Sequence, residues 1–338
     1  AMTDLSGQTD ATREGVVLVA LGSPVAPTEE AIGDFLSEFL SDPRVVDLPR
    51  ALWLPILNGP VRRRRPARVL RQYEGIWTEE GSPLRVHTRA QGEALARLLP
   101  GRDVRVAYQY GSPNVADVFL DLARSCDVVT VLPAYPHFAP ATVGSIADRV
   151  RECAGLAAAE GHRPRIRAAR SWPSLAGYVD WHAGRILEEV SREGVDLVVF
   201  SWHGVPLRKA HGAARYRAEC HATASAVMER VEAQGCTVAW EETFQSKFGP
   251  GRWLAPATID TMAALPGRGV RSVLVTNPGF LADCLETAYE MDVLNAGVFR
   301  QAGGVSFRRI APPDAESAAR FLAQVRGALT PASGRPAR

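Results

Sequence analysis

The sequence predicts an α/β protein built from two similar Rossmann-like lobes, each a parallel sheet flanked by helices, with a cleft between them. Three observations carry this expectation. Short β-branched and apolar runs lack polar alternation, as strands buried on both faces of a parallel sheet do. Amphipathic segments of helical length separate those runs, which is the rhythm of βαβ units. The chain is 338 residues long, enough for that rhythm to run twice and for each domain to bury its own core.

In the first lobe, strands are expected over Val16–Leu21, Val104–Tyr110 and Val128–Pro133, with helices over Glu29–Leu40, Arg89–Leu98 and Val115–Ala123. Prolines and arginines then interrupt the pattern across Arg163–Ser174, which places the join there: residues 14–168 form the first lobe and 169–330 the second. In the second lobe, strands are expected over Asp196–Ser201, Val238–Phe244 and Ser272–Thr276. The helix predicted over His221–Gln234 carries Ala224, Val227, Met228 and Val231 on one apolar stripe. Residues 1–13 and 331–338 read as disordered tails.

Composition excludes several classes. Thirty-nine Lys+Arg against 37 Asp+Glu leave a net charge of +2, too balanced for a dedicated nucleic-acid binder. Apolar runs such as Ala51–Leu57 fall far short of the ~20 residues a spanning helix needs. Cys126, Cys153, Cys220, Cys236 and Cys284 are widely spaced without a CxxC pair, which suits a reducing cytoplasm. The N-terminal stretch has no apolar core of a signal peptide. No GxxxxGK[ST], no GxGxxG after a strand and no GxSxG occur, so no nucleotide cofactor is expected.

Four segments could carry chemistry. Ser201-Trp202-His203-Gly204-Val205-Pro206 follows a buried strand. A histidine there projects where ligands bind in open α/β sheets, and imidazole can take a proton or a metal; a histidine that merely bonds its own loop is the plainer alternative. Asp283, Glu286 and Glu290 are spaced i, i+3, i+7, which on an α-helix puts three carboxylates on one face. They suit a transiently held Fe²⁺ or a proton relay, unless they are a solvated acidic face. The loop Trp240–Leu254 brings aromatic and cationic residues together and could stack on a flat ligand, with Phe244 better placed for the core than Trp253. Ala51–Leu57 followed by Arg62-Arg63-Arg64-Arg65 fits a solvated loop, an anionic membrane surface or the mouth of a site for a hydrophobic dianion.

Several short motifs in order resemble ferrochelatase, most of all its proteobacterial type. They are Leu21-Gly22-Ser23-Pro24, the run Phe39–Asp47, Glu80-Gly81-Ser82-Pro83-Leu84, Tyr110-Gly111-Ser112-Pro113, the run Leu132–Phe138, Ser201–Pro206, Phe244–Gly249 and Pro278–Thr287. The resemblance implies a chelatase-type fold, a porphyrin substrate in the cleft (protoporphyrin IX or coproporphyrin III) and Fe²⁺ as second substrate. It implies His203, Glu286 and Glu290 as catalytic residues, with His203 and Glu286 meeting the metal. It implies further that Leu21, Tyr110, Trp253 and Phe280 line the porphyrin pocket and that the region Ala51–Arg65 touches the inner membrane peripherally. The cysteine cluster that holds iron-sulfur in some members is missing, so no such cluster is expected. The chain departs from the family at Ala20, where asparagine is usual, at Gln109, where Arg or Ser is common, and at Pro312-Pro313-Asp314. These departures leave two alternatives: a paralogue acting on another small molecule, or a non-catalytic tetrapyrrole carrier. The assembly is left between monomer and homodimer.

Overall fold

The computed structural model describes residues 12–329. The remainder of both expected tails lies outside the described residues, whereas Arg13 donates its backbone N–H to Asp127 Oδ2 at 2.8 Å. The first lobe comprises β1 (Glu14–Ala20), α1 (Glu29–Ser41), α2 (Arg50–Ile56), α3 (Arg62–Glu74), α4 (Pro83–Leu98), β2 (Asp103–Tyr108), α5 (Val115–Ser125), β3 (Val128–Pro133), α6 (Ser145–Ala159) and β4 (Arg165–Ala168). The second comprises α7 (Ala176–Arg192), β5 (Leu197–His203), α8 (Ala213–Ala233), β6 (Ala239–Gln245), α9 (Thr258–Ala264), β7 (Ser272–Thr276), α10 (Ala296–Gln301) and β8 (Ser306–Arg309). A last helix, α11 (Ala315–Ala328), closes the chain.

Each lobe holds one four-stranded parallel sheet, ordered β2-β1-β3-β4 in the first and β6-β5-β7-β8 in the second. The orders are equivalent, so each lobe reverses its strand sequence between its first and third strands. Open α/β sheets bind ligands outside the carboxyl ends of the strands at such a reversal. In the first lobe that crevice lies beyond Ala20 and Pro133; in the second it lies beyond His203 and Thr276.

Local sequence explains the elements. Val16, Val17, Leu18 and Val19 are fully buried, so β1 is apolar on both faces. Asn114 caps α5 by accepting from the Ala116 N–H at 2.9 Å, and Asp314 caps α11 by accepting from the Ser317 N–H at 2.9 Å. Such caps satisfy N–H groups left over at a helix start. Gly22, just beyond β1, has φ +103°, and a Cβ there would sit 2.0 Å from the Tyr110 carbonyl oxygen. Only glycine lets the chain pass.

Three expectations need correction. The edge strands β4 and β8 were not anticipated, because RIRA and SFRR carry too few apolar residues to read as buried strands, and edges tolerate charge. Arg62–Arg65 is the first turn of α3 rather than a solvated loop: Arg62 pairs with Asp34 at 2.8 Å, and Arg65 is half-buried. Last, α11 falls in the stretch assigned to the second lobe, yet it packs on α4 and β3 of the first. The reason is its apolar stripe of Phe321, Leu322 and Val325, which covers the same sheet face as Leu95 and Leu99, while Arg97 pairs with Glu316 alongside. One continuous core therefore runs from Leu18 and Leu132 through Phe200 and Trp202 to Phe321.

Candidate active site

His203 is the last residue of β5. Its ring is held by a single bond, Nδ1 to the carbonyl oxygen of Gly204 at 2.7 Å. A carbonyl can only accept, so Nδ1 carries a proton, and in the neutral ring Nε2 presents the lone pair. Nε2 has no hydrogen-bond partner among the described residues. The turn behind it is tight: the Gly204 N–H donates to the Gln245 carbonyl at 2.7 Å, and a Cβ on Gly204 would lie 2.6 Å from that oxygen.

Glu286 and Glu290 lie on Leu285–Asn295, which is a π-helix rather than the expected α-helix. This overturns the i, i+3, i+7 face. Asp283 precedes the helix and forms an ion pair with Arg309 at 3.0 Å, leaving Glu286 and Glu290 as the two of those three carboxylates on the helix itself. π-helices are rare, occur mostly as short insertions and frequently mark functional sites. Glu290 is fixed by Ser246, whose N–H and hydroxyl donate to its two oxygens at 2.7 and 2.5 Å. Ser246 adopts φ +63°, costly for a residue with a side chain, and these two bonds offset the cost. Burial pushes the Glu290 carboxyl above the usual carboxylate range; Ser246 pulls it down, Glu286 pushes it up, and His203 pulls it down, with the net direction upward.

Glu286 sits against the first lobe. Burial, together with its charge, raises the hydroxyls of Tyr73 on α3 and Tyr135 after β3. Burial and the same carboxylate keep the Cys284 thiol protonated. Leu285 packs into the small core of α1 and α3 that includes Ile32, Leu36 and Tyr73. The loop ahead of the π-helix is held from both lobes: Tyr178 donates to the Pro278 carbonyl at 2.7 Å, and Gln91 donates to the Leu281 carbonyl at 2.6 Å.

A buried amide network ties the strand ends together. Gln245 Nε2 donates to the Glu286 carbonyl at 2.6 Å. Its Oε1 accepts from the Ser201 hydroxyl and from Asn277 Nδ2, each at 2.8 Å. One side chain at the end of β6 thereby sets the spacing of β5, β7 and the π-helix. Gln245 and Ser246 lie within the motif Phe244–Gly249 and Asn277 directly before Pro278–Thr287; the signal for all three is a polar residue at or just after the end of an apolar strand. Replacing Gln245 by Leu keeps the volume and removes three buried hydrogen bonds, worth about 0.5–1.5 kcal/mol each, while Ser201 keeps Thr258 and Asn277 keeps the Ser201 carbonyl as partners. Urea unfolding is expected to show a loss of roughly 3 kcal/mol for that variant.

The remaining expected site residues divide. Leu21 and Phe280 line one cavity with Ala20, Tyr135, Leu281 and Cys284, drawn from both strand reversals. The Phe280 ring lies 6.5 Å from that of His203. Trp253 is half-buried beside Gly204 and packs on Phe248 with centroids 5.5 Å apart, whereas Phe244 is in the core at 3% exposure. Tyr110 does not line the cavity, though its N–H donates to the Leu21 carbonyl at 2.9 Å: its ring is buried against Phe39, and its hydroxyl donates to Asp42 at 2.7 Å. Ala20 lines the cavity and Gln109 is buried.

Comparison with known proteins bears on the family and the fold. The family model described as ferrochelatase matches residues 13–326. A ferrochelatase from an Azoarcus species is 43% identical over 306 residues, covering 88% of this chain and 82% of that one. A coproporphyrin III ferrochelatase from Lactococcus lactis subsp. cremoris is 39% identical over 304 residues, covering 89% and 92%. Among solved structures, SirB from Bacillus subtilis, determined with Fe³⁺, aligns with TM-score 0.56 at 12% identity over 94% of this chain and 96% of that chain. CbiX, described as the terminal enzyme of sirohaem biosynthesis in denitrifying bacteria, aligns with TM-score 0.52 at 14% identity over 94% and 99%. The two structures are alike in fold, and the family follows from the sequence matches: the chain belongs to the ferrochelatase family.

Proposed function

We propose that this chain inserts Fe²⁺ into a porphyrin held between the lobes, with His203 taking pyrrole protons and the Glu286–Glu290 pair carrying protons away or passing iron in. The macrocycle gives up two N–H protons as the metal forms its bonds to the four nitrogens, so the site must accept two protons per turnover. The observation that carries the reading is the orientation of His203: Nδ1 donates to Gly204, so in the neutral ring Nε2 is the nitrogen that can take a proton. Glu290, with its carboxyl raised above the usual range by burial, is suited to hold a second proton at a higher pH than an ordinary carboxylate does. Glu286 stands one step closer to the first lobe.

One feature supports a porphyrin with acidic side arms, and another a peripheral membrane contact. Arg65 is half-buried, stacks 5.5 Å over the Phe248 ring and has no carboxylate partner among the described residues. A guanidinium so placed at the mouth of the cleft suits a propionate. Along α2, Leu52 and Ile56 are 66% and 46% exposed, close in sequence to exposed Arg63 and Arg64, a pattern that fits a peripheral contact with an anionic membrane. No helix of the described residues is long and apolar enough to cross one.

The test is anaerobic. Purified protein is mixed with Fe²⁺ or Zn²⁺ and either protoporphyrin IX or coproporphyrin III, and loss of the free-base spectrum is followed. Acceleration with one of the two porphyrins, and release of two protons per macrocycle in weak buffer, is the expected result. Binding without acceleration would leave a carrier and remove the enzyme.

A further inference from the structure

We propose that Arg309 is a positioning residue for metal insertion, clamping both ends of the π-helix so that Glu286 and Glu290 keep their places. This rests on the reading that those glutamates serve the reaction. Arg309 ends β8, and its side chain is 9% exposed. Its Nε and Nη2 donate to the two oxygens of Asp292 at 2.8 Å each, near the end of the π-helix. Its Nη1 lies 3.0 Å from Asp283 Oδ1, ahead of the helix start. Asp283 in turn accepts from the Thr287 hydroxyl at 2.7 Å, and Thr287 Oγ1 accepts from the Cys284 N–H at 3.0 Å. One planar fork thus spans the segment whose interior carries both glutamates.

The clamp has a physical task. The π-helix is held open by contacts at its margins: Ser246 on Glu290, Gln245 on the Glu286 carbonyl and Arg309 across the ends. Asp283 lies ahead of the helix and Asp292 near its end, and Arg309 is the side chain that bridges them. A lysine could pair with one of them, whereas the guanidinium bonds Asp292 through two nitrogens and keeps the third within ion-pair distance of Asp283.

The experiment compares wild type with Arg309→Met, Arg309→Lys and Asp292→Asn in porphyrin metallation and amide hydrogen exchange. Positioning partners of this kind typically change activity by about 10–100-fold. The expected result is a fall of that order in kcat for Arg309→Met, with KM for porphyrin within about threefold of wild type. Arg309→Lys and the milder Asp292→Asn are expected between the two. Amides of 285–295 are expected to exchange faster in these variants while those of β5 and β6 do not. In a Glu290→Gln background the further cost of Arg309→Met is expected to shrink to about threefold or less, because residues acting as one unit are not additive. Unchanged kcat, or losses that multiply in the double variant, would overturn the proposal. If wild type itself does not metallate porphyrin, the reading of function fails; faster exchange confined to 285–295 then still supports the clamp, and unchanged exchange removes it as well. Should Arg309→Met not fold, Asp292→Asn, altered at a 42% exposed side chain, carries the same comparison.

Discussion

Replacing His203 by alanine is expected to lower kcat for porphyrin metallation by about 10²–10⁴-fold, the range a positioned general base contributes. The ring makes few contacts that alanine would lose: one hydrogen bond to the adjacent Gly204 carbonyl and a distant tilt on Phe280 at 6.5 Å. Porphyrin affinity, read from fluorescence quenching, is therefore expected to change little, so the loss falls on kcat rather than KM. The backbone of β5 should survive, because Trp202 on one side and the Gly204–Gln245 bond on the other hold the strand end. A metallation rate within tenfold of wild type would take the base assignment from His203 and shift it to Glu290. The pH profile separates these cases. Glu290 carries a raised carboxyl, so if it accepts a proton, the acid limb of kcat lies above the usual carboxylate value and moves in Glu290→Gln while persisting in His203→Ala.

The sequence disclosed the parts of the fold governed by local pattern. Val128–Pro133 and Ser272–Thr276 match their strands end for end, since a fully apolar run between turn residues has few other uses. α8 begins at Ala213 rather than His221, because Tyr216 and Cys220 bury the earlier turns against the other lobe while the surrounding residues are polar. That is tertiary information. The same holds for the site. His203 stood out as an imidazole at a strand end, but Gln245, Ser246 and Asn277 matter through hydrogen bonds across 32 to 44 residues of sequence, which no periodicity encodes. The carboxylate spacing misled for a sharper reason. It assumed 3.6 residues per turn, and the helix that carries Glu286 and Glu290 is wound to π geometry by partners on β6 and β8. Asp283 was thereby counted with the acids when it belongs with Arg309.

Substituting Glu14 by glutamine is expected to destabilise the fold by about 3–5 kcal/mol near neutral pH, the cost of removing one partner from a buried charge group. Glu14 opens β1 and is 8% exposed. It accepts from Thr130 at 2.7 Å, from Arg102 at 2.9 Å and from Arg326 at 3.1 Å, with Arg167 at 3.9 Å. These cations come from the approach to β2, from β4 and from α11, so a single carboxylate gathers the end of the first sheet and fastens the closing helix to it. Glutamine keeps the shape, accepts at one oxygen only and turns an NH₂ towards guanidinium groups. Burial raises the Glu14 carboxyl, but the bonds from Arg326, Thr130 and Arg102 outweigh it and bring the pKa down to about 2. A carboxyl lowered on folding stabilises above its unfolded value, near 4.5, and loses that contribution as the pH falls towards 2. At 1.36 kcal/mol per unit the contribution is about 3 kcal/mol. The difference in urea stability between wild type and Glu14→Gln is therefore expected to be full at pH 7, to shrink below about pH 4.5 and to become small near pH 2. Other acids titrate alike in both proteins and cancel from the difference. A gap that stays constant from pH 7 to pH 3 would mean that the glutamine disrupts packing rather than charge, and α11 would then be held to the first lobe chiefly by Phe321, Leu322 and Val325.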